Sequence, residues 1–297
     1  MSCEERAKGR QFCSSQAPIP TKDQAGLLRF AVNSTLKHSA SDSLQIVRPR
    51  LPLPVMRGVI DRRMLVNFRC EPAALQRVLP APFRPKLVRG WGLAGICLIR
   101  LNELRPRWLS TSFGFRSENA AHRIAVEWDE NGERREGVFI PRRDTDSRLN
   151  QLAGSRLFPG VHHRAQFDVC ESPNRFKLDM RSEDGEARVR IIARVAEAWP
   201  GASVFANLEE ASAFFAAGSL GWSVGNRPGQ LDGLELRSSG WRLEPLIIER
   251  VESSFFDNTN VFRLGTVELD SALLMRGIQH EWHAGGRMLC RDASPPA

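Results

Sequence analysis

The sequence predicts a mainly β (α+β) fold, either a barrel or a packed sandwich, with a few short helices. From Val55 onward, short apolar or alternating runs recur between Gly, Pro, Asn and Asp residues, and their lengths and residue types are those of strands. Helical patterns are few. No internal repeat and no linker divides residues 55 to 290, so these residues are predicted to form one domain.

Ten stretches have the pattern of strands. In chain order they are RRMLVNFR, GLAGICLIRL, AHRIAVEW, EGVFIP, HHRAQFDV, RFKLDM, ARVRIIARVAEA, LGWSVG, ELRSSGWRL and TVELDSALLM. The stretch EPAALQRVLP predicts a short helix that ends at Pro80. NLEEASAFFAAG predicts a second helix, with Asn207 as N-cap, Glu210 three residues later and Gly218 as the stop. SRLNQLAGSRLFPG, residues 147 to 160, is typical of a short helix and turn that closes one end of the fold.

The ends of the chain differ in composition from its centre. Residues 1 to 52 are rich in Ser, Thr, Gln and charge, and predict a disordered N-terminal extension before a domain at 53 to 288 and a disordered tail at 289 to 297. The extension lacks the apolar core of a secretory signal, and no run approaches the roughly 18 apolar residues of a membrane span. The six cysteines lie far apart without a C-x-x-C pair, a pattern typical of free thiols in a reducing cytosol. We therefore expect a soluble, cytoplasmic protein without a membrane partner.

The charged residues argue against a nucleic-acid partner. The formal net charge is +8, from 37 arginines and five lysines set against 34 acids, but the basic residues are interleaved with acids along the whole chain. Arginine suits forked contacts to carboxylate or phosphate better than lysine does. Codon bias in a GC-rich genome would produce the same excess of arginine, and both explanations remain open.

The stretch GVFIPRRDTDSRLN, residues 137 to 150, places Arg142 and Arg143 at the end of an apolar strand. Adjacent residues on a strand face opposite sides, so one arginine should point inward and the other outward. An inward guanidinium needs a carboxylate partner or an anionic ligand, because an unpaired charge is costly in a low-dielectric interior.

Three motifs in the first half of the domain resemble the acetoacetate decarboxylase superfamily. They are FRCEPAALQRVLPAPFRP at 68 to 85, GFRSE at 114 to 118, and Arg135-Glu136 followed after four residues by Pro141-Arg142-Arg143. Residues 55 to about 285 also resemble the YqjF-like branch of that superfamily, a domain of unknown function. The resemblance implies a large antiparallel, cone-shaped β-barrel with a central apolar cavity, and an oligomer.

The same resemblance places Arg142 and Arg143 where the decarboxylases carry a lysine pair, whose first member forms a Schiff base. A guanidinium with a pKa above about 12 is not a usable nucleophile, so Schiff-base decarboxylation is not expected. Lys86, expected in a polar turn, and Lys177, expected on an alternating strand, do not replace the missing lysine.

By family position, Arg142 is the inward arginine and Glu118 is an active-site carboxylate. Glu118 is therefore the first candidate for the partner of Arg142, with Asp144 and Glu136 as the others. His122 follows Glu118 by four residues, and its imidazole suits proton transfer near neutral pH. A packed histidine is the alternative.

These observations define two hypotheses. In the first, the cavity binds or turns over a small organic acid, keto acid or ketone without a cofactor. Its catalytic candidates are Arg142, Glu118 and His122, and its ligand-binding candidates are Arg142, Arg143, Arg116 and Asp144. In the second, the protein is a non-enzymatic ligand-binding or structural oligomer whose former catalytic position holds a buried ion pair. The histidine pairs at 162 to 163 and 280 to 283 match no metal-site spacing, so no metal is expected.

Overall fold

The structure is a computed structural model that describes residues 46–47, 54–110, 114–153 and 159–290. Strands dominate it, as predicted. The strands are β1 (Ile46–Val47), β2 (Met56–Cys70), β3 (Arg84–Pro85), β4 (Leu87–Val88), β5 (Trp91–Pro106), β6 (Phe115–Glu130), β7 (Glu133–Thr145), β8 (His163–Glu171), β9 (Arg175–Ser182), β10 (Arg188–Val195), β11 (Leu220–Val224), β12 (Gln230–Ser239), β13 (Glu244–Ser253) and β14 (Val267–Leu289).

The described helices are short: α1 (Pro72–Gln76), α2 (Arg148–Ala153) and α3 (Leu208–Ala217). All three fall in stretches that the sequence predicted. The predicted cap of α3 is present, since the Asn207 side chain accepts a hydrogen bond from the Glu210 backbone N–H at 2.8 Å. Gly218 is the C-cap of this helix.

The strand pairings close two circuits. In the first, hydrogen-bonded neighbours run β7-β8-β9-β10-β13-β14-β2-β5-β6, and β6 pairs again with β7. In the second, β14 pairs with β12, β12 with β11 and β11 with β7. The pairings are antiparallel except for β7 with β8 and β7 with β11, which are parallel. The strands β14, β2, β5, β6 and β7 belong to both circuits.

Strands β2, β5, β6 and β14 contribute residues to two different apolar clusters. Consecutive residues of β2 show this: Met64 and Val66 belong to one apolar cluster, and Leu65 belongs to the other. The first cluster, which we name the aromatic core, includes Phe68, Phe83, Trp128, Trp222, Phe256 and Phe262. The second, which we name the cavity-side core, includes Leu65, Cys97, Ile99, Leu101, Phe215 and Leu273.

The predictions for the chain ends and the cysteines are tested only in part by the described residues. The predicted N-terminal extension lies outside the described residues, except for 46–47, which pair with β14, and the tail is described only to Cys290. Cys70, Cys97 and Cys290 are free thiols, whereas Cys170 is disulfide-bonded, which contradicts the expected free thiol at that position. None of the described helices is long and apolar enough to cross a membrane.

Candidate functional site

A cavity of about 470 Å³ lies on the cavity-side face of the shared strands. Strands β2, β5, β6, β7, β11 and β12 and helix α3 contribute to its wall. Its apolar wall includes Leu65, Ile99, Leu101, Phe215, Trp241 and Trp282. Its polar wall includes Arg63, Cys97, Asn119, Arg123, Arg143 and His162. The volume is within the usual range for a small-molecule site.

The register of four neighbouring strands places three arginines around the floor of this cavity. One row across β2, β5, β6 and β7 reads Leu65, Cys97, Ala121 and Arg143. Arg63 lies in the next row on one side, opposite Ile99, and Arg123 lies two residues beyond Ala121 on the other side. Residues two apart on a strand share a face, so all three arginines belong to the cavity face. Cys97 and Ala121, whose side chains are short, also line the cavity.

Arg143 is held by a neutral partner. Its Nε donates a hydrogen bond to the Ser223 hydroxyl at 2.8 Å. Burial lowers the pKa of Arg143 to about 10, which leaves the guanidinium charged at neutral pH. Within the described ranges it forms no ion pair with a carboxylate.

Arg123 is also held by a neutral partner. One of its terminal nitrogens donates to the Asn67 side-chain oxygen, and its guanidinium carbon lies 4.8 Å from the centre of the Phe215 ring. Its buried Nε has no hydrogen-bond partner in the part of the chain that the structure describes. Burial lowers the pKa of Arg123 to about 10. A buried donor without a partner is costly unless a ligand or water satisfies it.

Arg63 completes the set. Its Nε donates to the Cys97 Sγ at 3.4 Å, and its guanidinium carbon lies 5.9 Å from the Trp241 ring centre. Like the other two arginines, it has no carboxylate partner among the residues described. We name Arg63, Arg123 and Arg143 the arginine triad.

The other charges of the cavity wall are compensated. Lys86, which the sequence predicted in a polar turn, lines the cavity and forms an ion pair with Glu136 at 2.6 Å. Arg237 pairs with Glu235 at 2.8 Å. Asp144 is fully buried and pairs with Arg142. The arginine triad therefore gives the cavity an excess of positive charge.

The two adjacent arginines lie on opposite faces of β7, as alternation predicts, but neither face points outward, because one packs against the aromatic core and the other lines the cavity. Arg143 lines the cavity and Arg142 does not. Arg142 lies directly opposite His122 on β6, on the face that packs against the aromatic core. There it donates to Asp144 at 2.9 Å and to Asp184 at 2.8 Å. The predicted pairing with Glu118 is incorrect, and Asp144, another candidate for that role, is a partner.

Glu118 belongs instead to a buried ion cluster. It accepts a hydrogen bond from Arg62 at 2.7 Å and from Arg100 at 2.5 Å. Both arginines also donate to Glu171 of β8, which closes a ring of two cations and two anions that connects β2, β5, β6 and β8. Burial disfavours ionisation of Glu171, but the hydrogen bonds and charges of Arg62 and Arg100 hold its pKa below the usual value. We name these four residues the ion ring.

The remaining predicted site residues are not brought into the cavity as a catalytic group. His122 is buried against Phe255, with ring centres 5.1 Å apart, and its Nε2 lies 3.4 Å from the Ser253 hydroxyl. Burial, and then the charge of Arg142, lowers the pKa of His122 to about 4, so the imidazole is neutral at pH 7. Arg116 is exposed and does not line the cavity. Asp144 does line it, and burial raises the pKa of this carboxyl even though Arg142 opposes the change.

Sequence reasoning overlooked two members of the triad. The alternation of AHRIAVEW puts His122, Ile124 and Val126 on one face, and therefore puts Arg123 on the other with Ala121. An arginine between two alanines on one face of an apolar strand was a detectable signal. No group of three or more His, Cys, Asp or Glu side chains that could hold a metal ion occurs among the described residues.

No protein-family model and no curated protein sequence matches the chain. Solved structures with the same fold do match. The acetoacetate decarboxylase of Legionella pneumophila subsp. pneumophila str. Philadelphia 1 aligns with a TM-score of 0.51 and 13% identity, over 86% of this chain and 93% of that chain. The enduracididine biosynthesis enzyme MppR with HEPES buffer bound aligns with a TM-score of 0.51 and 14% identity, over 82% and 90%. MppR complexed with pyruvate aligns with a TM-score of 0.50 and 12% identity, over 82% and 93%. The chain thus has the fold of acetoacetate decarboxylase and related enzymes.

Proposed function

We propose that this protein binds a small organic acid or keto acid in its cavity, with Arg143 as a direct contact. The observation that carries the proposal is the arginine triad, whose three guanidinium groups are anchored by neutral partners and lack carboxylate partners among the described residues. A buried charge is stable only when it is paired or hydrogen-bonded. A carboxylate ligand would supply that partner through forked, charge-assisted hydrogen bonds.

Two further observations support this proposal. MppR, which shares the fold, has been solved in complex with pyruvate, so a protein of this architecture can hold a small keto acid. The closed circuits of strand pairing agree with a cone-shaped barrel of the decarboxylase type, and the YqjF-like branch is the part of the superfamily that we propose for this chain. A cytoplasmic location, self-association and the absence of a nucleic-acid partner remain predictions.

We do not extend the proposal to Schiff-base chemistry. The positions that match the lysine pair are Arg142 and Arg143, and the cavity lysine, Lys86, is held in an ion pair with Glu136. The proton-transfer route suggested by the sequence is also unsupported, because Glu118 is held in the ion ring and His122 in the aromatic core. Binding without turnover is therefore the function that the geometry favours.

A structural role at the former catalytic position is the second candidate. It is favoured by the pairing of Arg142 with both Asp144 and Asp184, which leaves this guanidinium no role towards a ligand in the cavity. The two candidates are compatible, since they concern opposite faces of β7.

The test is thermal unfolding of the native protein, Arg143→Gln and Arg142→Gln against small carboxylates, keto acids and ketones. A ligand present at a hundred times its Kd adds about 2.7 kcal/mol to the stability of the native state, a shift of several degrees in Tm. We expect an acid to raise the Tm of the native protein and not that of Arg143→Gln.

The adjacent arginine is the matched control, and the ligand-free proteins give an independent readout. Arg143→Gln removes a charge that has no carboxylate partner among the described residues and should leave the Tm unchanged or raise it, whereas Arg142→Gln leaves the fully buried Asp144 unpaired and should lower it. If Arg142→Gln is folded, it should keep its response to the acid. Equal responses of native protein and Arg143→Gln, or no response of the native protein to any acid, would overturn the proposal.

A further inference from the structure

The arginine triad contains more positive charge than one carboxylate neutralises. We infer that the ligand is a small polycarboxylate with two or three carboxylate groups on a short carbon skeleton. This inference rests on the proposed function, because it names the class of acid that the same cavity takes.

The first argument is the charge balance of the wall. The ion pairs Lys86–Glu136 and Arg237–Glu235 cancel in charge, and the cavity-lining Asp144 is paired with Arg142, which also pairs with Asp184. Three guanidinium charges remain uncompensated among the described residues that line the cavity. A monocarboxylate would neutralise one of them and leave the other two without a counter-ion in an interior of low dielectric, which is costly.

The second argument is how each guanidinium is held. Arg143 is anchored by the Ser223 hydroxyl, and Arg63 by the Cys97 thiol. In both cases Nε makes the anchoring contact, so the two terminal NH₂ groups of the fork are not used by it. These anchors fix the direction of the side chain without neutralising its charge, which is the arrangement that a preorganised anion site requires.

Arg123 is held in the complementary way. A terminal nitrogen donates to Asn67, while the buried Nε has no partner within the described chain. The residue as a whole is 8% exposed, so this donor has little access to solvent.

The third argument is the separation of the anchors. Arg63 is held over β5 by Cys97, whereas Arg143 is held towards β11 by Ser223, on the far side of β7. Neighbouring strands are about 4.8 Å apart, so the two guanidinium groups are directed to different parts of the floor. A carboxylate group at each part, joined by a short linker over Cys97 and Ala121, matches this arrangement better than one carboxylate does.

The experiment is isothermal titration calorimetry of the full chain with succinate and with monomethyl succinate. The two compounds have the same carbon backbone between their acyl groups, and the ester removes one negative charge. A charge-assisted hydrogen bond corresponds to an affinity gain of about tenfold or more, so succinate should bind at least about ten times more tightly than its monoester. Tricarballylate tests the third charge, and inorganic phosphate tests whether a compact polyanion suffices.

Variants show whether the triad is the origin of this selectivity. Arg63→Gln, Arg123→Gln and Arg143→Gln should each reduce the preference for succinate over the monoester by about tenfold. Arg276→Gln, which removes a surface arginine paired with Glu244, is the matched control and should keep the preference.

The outcomes separate the inference from the proposed function. If the monoester and butanoate bind as tightly as succinate, the acid site stands and the polycarboxylate inference is overturned. If phosphate binds and the polycarboxylates do not, the named class is wrong. If none of the acids binds, the proposed function and the inference both fail.

Discussion

The ion ring offers a sharp test of how the shared strands are connected to β8. In Glu118→Gln, the carboxylate that lies between Arg62 and Arg100 becomes a neutral amide of almost the same size. One amide oxygen can still accept a hydrogen bond from one arginine. The amide NH₂ must then face the other guanidinium, so a donor meets a donor where 2.5 Å and 2.7 Å contacts existed before.

The size of the expected loss of stability in Glu118→Gln follows from the burial of these side chains. Arg62 and Arg100 are 3% and 9% exposed, and after the substitution they share Glu171, which is 28% exposed. Arg100 also keeps a longer contact, at 3.4 Å, to Asp61, which is 42% exposed. Removing one partner of a buried ion pair costs about 3–5 kcal/mol, because the remaining charge stays buried without compensation. At an m-value of about 3 kcal/mol/M, this lowers the urea midpoint by about 1–2 M.

The assay is equilibrium urea unfolding at pH 7, followed by tryptophan fluorescence, since Trp128 and Trp222 are fully buried. Glu268→Gln is the matched control. Its carboxylate also pairs with an arginine, Arg69 at 2.6 Å, but it is 48% exposed, so its loss should cost only about 0–1 kcal/mol. If Glu118→Gln and Glu268→Gln unfold at the same urea concentration, the ion ring does not stabilise the fold and the reasoning is refuted.

Three further predictions concern His122, Lys86 and Gly95. His122 has a pKa of about 4 in the folded protein and about 6.5 when unfolded. Between these values only the unfolded chain takes up the proton of this imidazole, so the free energy of unfolding falls as pH falls. In urea unfolding, His122→Gln should reduce this slope by up to about 1.4 kcal/mol per pH unit. Borohydride added with pyruvate should leave the mass of the protein unchanged, because Lys86 is ion-paired. Gly95→Ala places a Cβ 2.4 Å from the Val66 carbonyl oxygen and should cost about 1–3 kcal/mol, whereas Gly201→Ala, which meets nothing within 4 Å, should stay within about 0.5 kcal/mol.

Each of these expectations has a clear opposite. Parallel pH profiles for native protein and His122→Gln would mean that the imidazole is not held neutral by the fold. A reduced adduct located on Lys86 by peptide mass mapping would restore Schiff-base chemistry to the cavity. Equal stability of Gly95→Ala and Gly201→Ala would mean that β2 and β5 do not approach as closely as the register requires.

The fold class and much of its local structure could be predicted from the sequence. Apolar runs of strand length and few helical patterns predict a mainly β protein, and the capping residues of NLEEASAFFAAG predict α3. Strict alternation also predicts that Arg142 and Arg143 face opposite sides. These features depend on residues close together in the chain, where the period of two in a strand and the capping of a helix apply without knowledge of the tertiary fold.

The tertiary structure alone decided which face carries the cavity. Strands β2, β5 and β6 bury both faces in apolar cores, so their sequences do not distinguish a filled interior from an open one. The ion-pair partners could not be predicted from the sequence either, because Arg62 and Glu171 are 109 residues apart and Arg142 and Asp184 are 42 residues apart. Alternation assigns neighbouring residues to opposite sides, but only the packing of distant strands determines that Arg142 is neutralised by aspartates while Arg143 faces the cavity.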